Sequence, residues 1–171
     1  MPNAARGRLR AAAADAQSAG MRWLDIPPVW LGLALALTWG LRTPRLFPRE
    51  RSLANGLADG LGWTLLAMGL ALMVWAVLTM MRARTTPVPH MQPSALVTDG
   101  PFAFTRNPIY LGDAMVLLGA ILIWSAPLAL PVLAAFVWWI DRRFVRAEEA
   151  RLKAGFGGAF EDWAARVRRW V

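Results

Sequence analysis

The feature that most constrains this chain is a run of twenty-one residues, 61–81, without a single charged side chain. As a helix this run measures about 31 Å at about 1.5 Å per residue, which matches the ~30 Å hydrocarbon core of a bilayer. Arg82 and Arg84 follow directly. The run therefore predicts a transmembrane helix, and Gly56 and Gly60 near its start form a small-xxx-small pattern typical of close helix packing.

Two further apolar regions predict three more membrane segments. Residues 26–41 contain no charge, and as a helix of about 24 Å they need the flanking Trp and Arg side chains to span a bilayer. Residues 114–140 are uncharged as well but are interrupted at 125–127 by Ser-Ala-Pro. This break predicts a helical hairpin with arms at 108–124 and 128–140. The expected fold is an all-α integral membrane bundle of four segments followed by amphipathic cytosolic helices.

Composition excludes several classes of protein. Hydrophobic residues make up 57% of the 171 and charged residues 18%, which is unlike a soluble enzyme. The net charge is +8, but the cations are separated from the apolar runs, so no hydrated basic face for nucleic acid is expected. The absence of Cys and the single His90 exclude disulfides and multi-histidine metal sites, and we predict no metal. Arg supplies all but one of the 19 cations, which suggests a GC-rich bacterial source.

The basic residues also predict the topology. The loop 82–106 and the tail after Asp141 are basic, while the tip of the hairpin is uncharged, so the positive-inside rule places loop and tail in the cytosol. We expect a multi-pass protein of the cytoplasmic (inner) membrane with a basic N-terminal arm at 1–25, two transmembrane helices within 26–81 and a C-terminal half at 82–171 that holds the loop, the hairpin and the amphipathic helices. The loop 42–52 is basic too and would lie outside, which conflicts with the rule.

The start of the hairpin is a candidate binding site. Asn107 is a good N-cap and Pro108 suits the first position of a helix, so Arg106-Asn107-Pro108 predicts a helix start. Free N–H groups at such a start, beside a basic loop, can hold an anion. Tyr110 lies three residues beyond Asn107 and suits a membrane interface.

Two adjacent acids after the hairpin differ in their surroundings. At helical spacing Glu149 faces Arg142, Arg146 and Lys153, which predicts ion pairs on a hydrated face. Glu148 shares its stripe with Phe144 and Leu152 instead, and a carboxylate on an apolar stripe needs a partner. An ion pair with Arg106 and a cationic ligand are equally compatible with this spacing.

The end of the chain predicts a glycine turn at 157–158 and a second amphipathic helix. Its aromatic residues would dock on the protein or lie among the headgroups, and Arg166, Arg168 and Arg169 would face anionic lipid.

Three blocks of sequence, in order on either side of the hairpin, carry a family resemblance. They are Leu96-Val97-Thr98-Asp99-Gly100-Pro101-Phe102, then Arg106-Asn107-Pro108-Ile109-Tyr110-Leu111-Gly112, then Glu148-Glu149 with Phe156-Gly157 before an aromatic, basic tail. The chain resembles the isoprenylcysteine carboxyl methyltransferase and phospholipid methyltransferase superfamily of integral membrane enzymes over about residues 86–171.

The resemblance implies that S-adenosylmethionine (SAM) binds from the cytosol and that a lipophilic acceptor enters from the bilayer. By position, Arg106 and Glu148 become the catalytic candidates, with Glu148 taking the ammonium of the cofactor. The other implied cofactor contacts are His90, Leu96, Val97, Phe102, Asn107, Pro108 and Tyr110. Two positions depart from the family: Asn107 replaces a His common in eukaryotic members, and a substrate-side Arg falls near Phe144, where Arg143 or Arg146 could substitute.

The leading hypothesis is therefore a SAM-dependent methyltransferase of a small lipophilic or lipid acceptor, with membrane lipids as its surroundings. A carboxylate of isoprenoid type is favoured as acceptor, because an amine would require a base and the sequence offers no free one. The alternatives are a phospholipid amine N-methyltransferase and a non-catalytic helix-packing protein with a structural Arg106–Glu148 pair. Membrane sterol reductases are a weaker alternative, since this chain lacks room for their nucleotide contacts.

Overall fold

A computed structural model describes residues 25–42, 53–85 and 94–171. This part of the chain is helical and contains no strand. We number the α-helices α1 (Pro27–Gly40), α2 (Leu53–Arg82), α3 (Pro108–Ile123), α4 (Leu130–Ile140), α5 (Arg146–Phe156) and α6 (Gly158–Arg166). The predicted arm at 1–25 lies almost wholly outside the described residues, as do the loop 43–52 and His90.

The helix lengths revise the expected membrane segments. One helix, Gly56–Arg82 within α2, is long and apolar enough to cross a membrane by length and composition. The helices α1, α3 and α4 contain 14, 16 and 11 residues, or roughly 21, 24 and 17 Å at about 1.5 Å per residue. The all-α prediction is confirmed, whereas a membrane-spanning length is found in one segment of the four.

The hairpin breaks where the sequence predicted. The helix α3 ends at Ile123, Ser125 adopts a left-handed backbone conformation with φ 49°, and a short 3₁₀ turn, Pro127–Ala129, leads into α4. After α4 the helix does not stop but passes through a π-helical segment, Asp141–Val145, into α5. The sequence predicted the hairpin and the helix after it as separate elements, whereas the structure joins them through this π turn. Such turns occur often at functional sites.

The helices α2 and α3 pack closely through glycines. A Cβ on Gly112 would lie 2.7 Å from the Gly69 carbonyl oxygen, and one on Gly119 would lie 2.6 Å from the Gly62 carbonyl oxygen. From the first pair to the second, the position moves back seven residues on α2 (Gly69 to Gly62) and forward seven on α3 (Gly112 to Gly119). The two helices therefore run antiparallel. Nothing described lies within 4 Å of a Cβ on Gly56 or Gly60. The predicted small-xxx-small pattern is therefore not the contact, and Gly62 and Gly69, further along α2, take its place.

Two hydrophobic cores position the site. The first joins α1, α3 and α4 through side chains such as Leu117, Phe136 and Ile140, and Trp30 packs on Trp139 with ring centroids 5.0 Å apart. The second joins α2 to α6, and its buried members are Ala76, Met80, Val97, Phe102, Phe160 and Trp163. The α6 aromatics thus dock on the protein, one of the two predicted placements. The junction before α3 and the start of α5 lie between these cores.

Candidate functional site

The C-terminal tail holds the junction before α3 in place. The backbone N–H of Arg106 donates to the Arg168 carbonyl oxygen at 3.0 Å, and the Asn107 Nδ2 donates to the Arg169 carbonyl oxygen at 3.0 Å. Thr105 Oγ1 donates to the same Arg169 oxygen at 3.2 Å. Asn107 occupies the cap position and Pro108 begins α3, as predicted, but the Asn107 side chain bonds to the tail instead of capping the helix.

Arg106 pairs with Glu149, and this corrects the predicted Arg106–Glu148 pair. Its Nη2 lies 3.3 Å from Glu149 Oε1, with both side chains about one-seventh exposed. Arg169 also reaches Glu149, with Nε at 3.1 Å and Nη2 at 2.6 Å from its two oxygens. Spacing along one helix could not predict this cluster because both arginines come from other segments. The buried Arg106 Nε has no hydrogen-bond partner among the described residues.

The predicted partners of Glu149 are engaged elsewhere. Lys153 pairs with Glu161 at 2.8 Å, and Arg146 pairs with Asp141 at 2.8 Å. Arg143 pairs with Asp25. Arg169 was expected at the lipid surface and instead lies inside the Glu149 cluster.

Glu148 accepts a hydrogen bond from the only tyrosine of the sequence. The Tyr110 hydroxyl donates to Glu148 Oε2 at 3.2 Å and joins the first turn of α3 to α5. As predicted, Glu148 lies on an apolar stripe, since Phe144 is buried in the first core and Leu152 packs on the second. Burial raises the pKa of the Glu148 carboxyl, while the Tyr110 hydrogen bond and the charge of Arg151 act in the opposite direction. A cation bound here would favour the ionised form.

Arg106, Tyr110 and Glu148 line a cavity of about 260 Å³. This volume is slightly below the range of about 300–1,000 Å³ that is usual for small-molecule pockets. Six of the residues selected from the sequence line it: Phe102, Arg106, Asn107, Pro108, Tyr110 and Glu148. The start of α1 and one face of α2 complete the wall with Pro27, Pro28, Met73, Val77 and Met80, together with Ile109 and Asp113 of α3. The cavity lining therefore combines acidic and basic groups with apolar side chains.

Two predicted site residues do not line this cavity. Val97 is buried in the second core against α2 and α6, and Leu96 packs at the edge of the same core. The Trp163 Nε1 also donates to the Phe102 carbonyl oxygen at 3.1 Å and joins this segment to α6. His90 lies outside the described residues.

Sequence reasoning missed Asp113. This residue lies one turn beyond Tyr110 on α3, is 2% exposed and lines the cavity. An acidic residue inside an otherwise apolar helix was the available signal, since ionisable groups in such segments are typically functional. The uncharged run 114–140 begins immediately after it.

The comparison with protein families agrees with this arrangement. A family model described as phospholipid methyltransferase matches residues 58–159, more than half of the chain.

The chain belongs to the phospholipid methyltransferase family.

The match extends the resemblance seen in the sequence toward the N-terminus, because it includes most of α2 as well as the junction before α3, the hairpin and α5. No curated protein matches the chain. Membership of a phospholipid methyltransferase family makes this a membrane-associated protein of methyltransferase type.

Proposed function

We propose that this protein is a membrane methyltransferase that takes its methyl group from SAM, bound in the cavity between the start of α3 and α5, and transfers it to a lipophilic acceptor. The observation that carries the proposal is that an acidic and a basic side chain line the same cavity. Glu148 is held by Tyr110, and Arg106 keeps a buried Nε without a partner among the described residues.

The residues present fit the charges of SAM. Its amino-acid end carries an ammonium and a carboxylate, which call for an acid and a base close together. Glu148 would take the ammonium through the carboxylate oxygen that Tyr110 does not occupy. Arg106 would take the carboxylate with its free Nε, and the adjoining start of α3 supplies backbone N–H groups. The apolar residues Phe102, Met80 and Ile109 would cover the less polar parts.

The two adjacent glutamates have different partners, and this difference supports a ligand role for Glu148. Glu149 pairs with both Arg106 and Arg169, and Asp141 Oδ1 lies 3.6 Å from Arg169 Nη1, so the ion cluster needs no contribution from Glu148. The alternative hypothesis, a non-catalytic protein stabilised by an Arg106–Glu148 pair, is not supported, because Arg106 pairs with Glu149 instead. When bound, SAM supplies an electrophilic methyl group on a sulfonium. The protein's part is to fix the ligand by Glu148 and Arg106 and to exclude water with the apolar wall.

The membrane placement belongs to the same proposal. The helix α2 leaves large apolar side chains exposed along its length, among them Leu61, Trp63, Met68, Val74 and Trp75. A soluble protein rarely exposes so large an apolar surface. We propose that α2 crosses the bilayer, that α1, α3 and α4 lie in it as shorter segments, and that the cavity opens at the cytosolic side, where Arg82 ends α2.

Transfer of a labelled methyl group tests this function. Detergent-purified protein is returned to vesicles of total membrane lipid and supplied with SAM labelled on its methyl group, and the lipid extract is analysed by mass spectrometry. We expect label in the lipid fraction with the wild type and with the control Glu161→Gln, whose side chain lies on the surface. Glu148→Gln should lose about 10-fold or more in rate, the effect of a lost hydrogen bond to a charged group. Absence of labelled lipid with the wild type would contradict the proposal.

A further inference from the structure

Arg169 connects the tail to both sides of the candidate site. Its backbone carbonyl oxygen accepts hydrogen bonds from Thr105 Oγ1 at 3.2 Å and from Asn107 Nδ2 at 3.0 Å, at the junction before α3. Its side chain contacts Glu149 in the first turn of α5. The backbone and the side chain of one residue therefore join the junction to α5.

The two arginines that share Glu149 bind it in different ways. Arg169 donates from Nε to Oε1 at 3.1 Å and from Nη2 to Oε2 at 2.6 Å, so it holds both oxygens of the carboxylate. Arg106 approaches the same carboxylate with Nη2, 3.3 Å from Oε1, and its buried Nε has no hydrogen-bond partner among the described residues. A two-point contact is the strong geometry for a guanidinium group and a carboxylate. In this cluster Arg169 has that geometry.

Asp141 contacts the same guanidinium group from the π-helical segment before α5. Arg169 Nη1 lies 3.6 Å from Asp141 Oδ1, and Arg146 Nε donates to the other Asp141 oxygen at 2.8 Å. The side chains of Asp141 and Glu149 are each 14% exposed, so Arg169 lies between two largely buried carboxylates. Arg169 does not line the cavity, and its side chain binds acids of the protein itself.

We propose that Arg169 is a positioning residue: by holding both oxygens of Glu149, it keeps the Arg106 Nε available to the carboxylate of SAM. The inference rests on the SAM binding proposed above. Without the Arg169 side chain, Glu149 would turn toward Arg106 and form the two-point contact with it. The protein's own carboxylate would then occupy the Arg106 Nε, and a ligand carboxylate would meet a like charge. Arg169 thus acts on the ligand through Glu149 and Arg106.

Arg169→Ala removes the side chain and keeps the backbone oxygen that binds Thr105 and Asn107. Calorimetry with S-adenosylhomocysteine, the demethylated product of SAM, should show binding about 10-fold weaker than in the wild type, the effect of a lost hydrogen bond to a charged group. Arg168→Ala is the matched control, because its side chain is exposed and the backbone oxygen that binds the Arg106 N–H remains. Wild-type affinity in Arg169→Ala would overturn the proposal.

Two comparisons distinguish positioning from a general loss of stability. Decarboxylated S-adenosylhomocysteine has no carboxylate for Arg106, so the wild type and Arg169→Ala should bind it with affinities within about 3-fold of each other. In the double variant Arg169→Ala/Glu149→Gln no charge competes for Arg106, and the affinity for S-adenosylhomocysteine should return to within about 3-fold of the wild type. A general loss of stability would weaken both ligands, and more so in the double variant. Equal weakening of both ligands, or no recovery in the double variant, would overturn the proposal.

Arg169→Lys separates position from charge. The lysine keeps the positive charge but lacks the planar fork that holds both oxygens of Glu149. We expect its affinity for S-adenosylhomocysteine to be at least about 3-fold below that of the wild type, and wild-type affinity would assign the effect to charge and overturn the positioning role. Failure of the wild type to bind S-adenosylhomocysteine contradicts the proposed function itself. Equal binding by the wild type and Arg169→Ala contradicts the role of Arg169 alone.

Discussion

The Tyr110 hydroxyl lies 3.2 Å from Glu148 Oε2 and joins two residues that are thirty-eight positions apart. The bond connects the first turn of α3 to the first turn of α5, and it leaves the other Glu148 oxygen available to the cavity. The neighbouring Glu149 has different partners, since it pairs with Arg106 and Arg169. The two adjacent acids thus have different roles, because Glu148 faces a tyrosine and Glu149 faces two guanidinium groups.

Tyr110→Phe should weaken binding of S-adenosylhomocysteine about 10-fold at pH 7, the effect of a hydrogen bond to a charged group. The Tyr110 hydrogen bond lowers the pKa of Glu148, so its loss leaves a smaller fraction of the carboxylate ionised. Calorimetry at pH 7 and pH 8.5 checks this. The deficit should shrink at the higher pH, and an equal affinity of both proteins at pH 7 would exclude the proposed role of the hydroxyl.

Binding should depend on pH through Glu148. Burial raises the pKa of Glu148 above its usual value of 4.5, and the ligand ammonium requires the ionised form. Affinity should therefore fall as pH decreases through the raised pKa, and binding near that pKa should release protons. Calorimetry in buffers of different ionisation enthalpy measures the release. Glu148→Gln should show none, and equal proton release in both proteins would assign it to another group.

The same pKa shift predicts how stability changes with pH. The folded protein holds the Glu148 proton more tightly than the unfolded chain, so this residue's contribution to stability is greatest below the ordinary pKa near 4.5 and is lost as pH rises to the folded pKa. Glu148→Gln should remove that part of the decline. Thermal unfolding of the ligand-free protein between pH 4 and pH 8 compares the two curves, and parallel curves would contradict the shift.

Glu149 should matter more to stability than either arginine that it binds. Glu149→Gln leaves Arg106 and Arg169 without their shared carboxylate and should lower the free energy of unfolding by about 2 kcal/mol. Arg169→Ala should cost about 1 kcal/mol, because its side chain is one-third exposed and Arg106 keeps its partner. Lys153→Ala, on an exposed pair, is the control and should leave the melting temperature unchanged. Equal losses in Glu149→Gln and Lys153→Ala would contradict a structural cluster.

The contact between α2 and α3 should tolerate no side chain at Gly112. In Gly112→Ala the new Cβ meets the Gly69 carbonyl oxygen at 2.7 Å, so the helices must separate at a cost of about 2 kcal/mol or more. Gly60→Ala, where nothing described lies within 4 Å, should be neutral or stabilising by up to about 1 kcal/mol. Thermal unfolding in detergent checks the pair. A loss in Gly60→Ala as large as that in Gly112→Ala would show that Gly60 has a contact of its own.

Local signals predicted the elements that depend on neighbouring residues. The break at 125–127, the start of α3 at Pro108 and the turn at Gly157 follow from proline, cap and glycine preferences, which act within a few residues. The apolar stripe of Glu148 likewise follows from helical spacing. The family resemblance then brought together six residues that line one cavity.

The same local signals could not predict which residues contact each other in the tertiary structure. Arg106 pairs with Glu149, which also binds Arg169, a residue of the tail that no spacing rule connects to either glutamate. The glycines that touch, Gly69 and Gly112, become a pair only when α2 and α3 are antiparallel in one register. Asp113 was visible as a charge in an apolar helix, but its burial in the cavity required the fold.

Calorimetric titration of the purified wild type with S-adenosylhomocysteine, beside Glu148→Gln and the surface control Glu161→Gln, tests the central claim most directly. We predict binding at one site per chain for the wild type and for Glu161→Gln, with an affinity at least about 10-fold weaker in Glu148→Gln. An absence of binding by the wild type, or the same affinity in Glu148→Gln, would contradict a cofactor site built on Glu148.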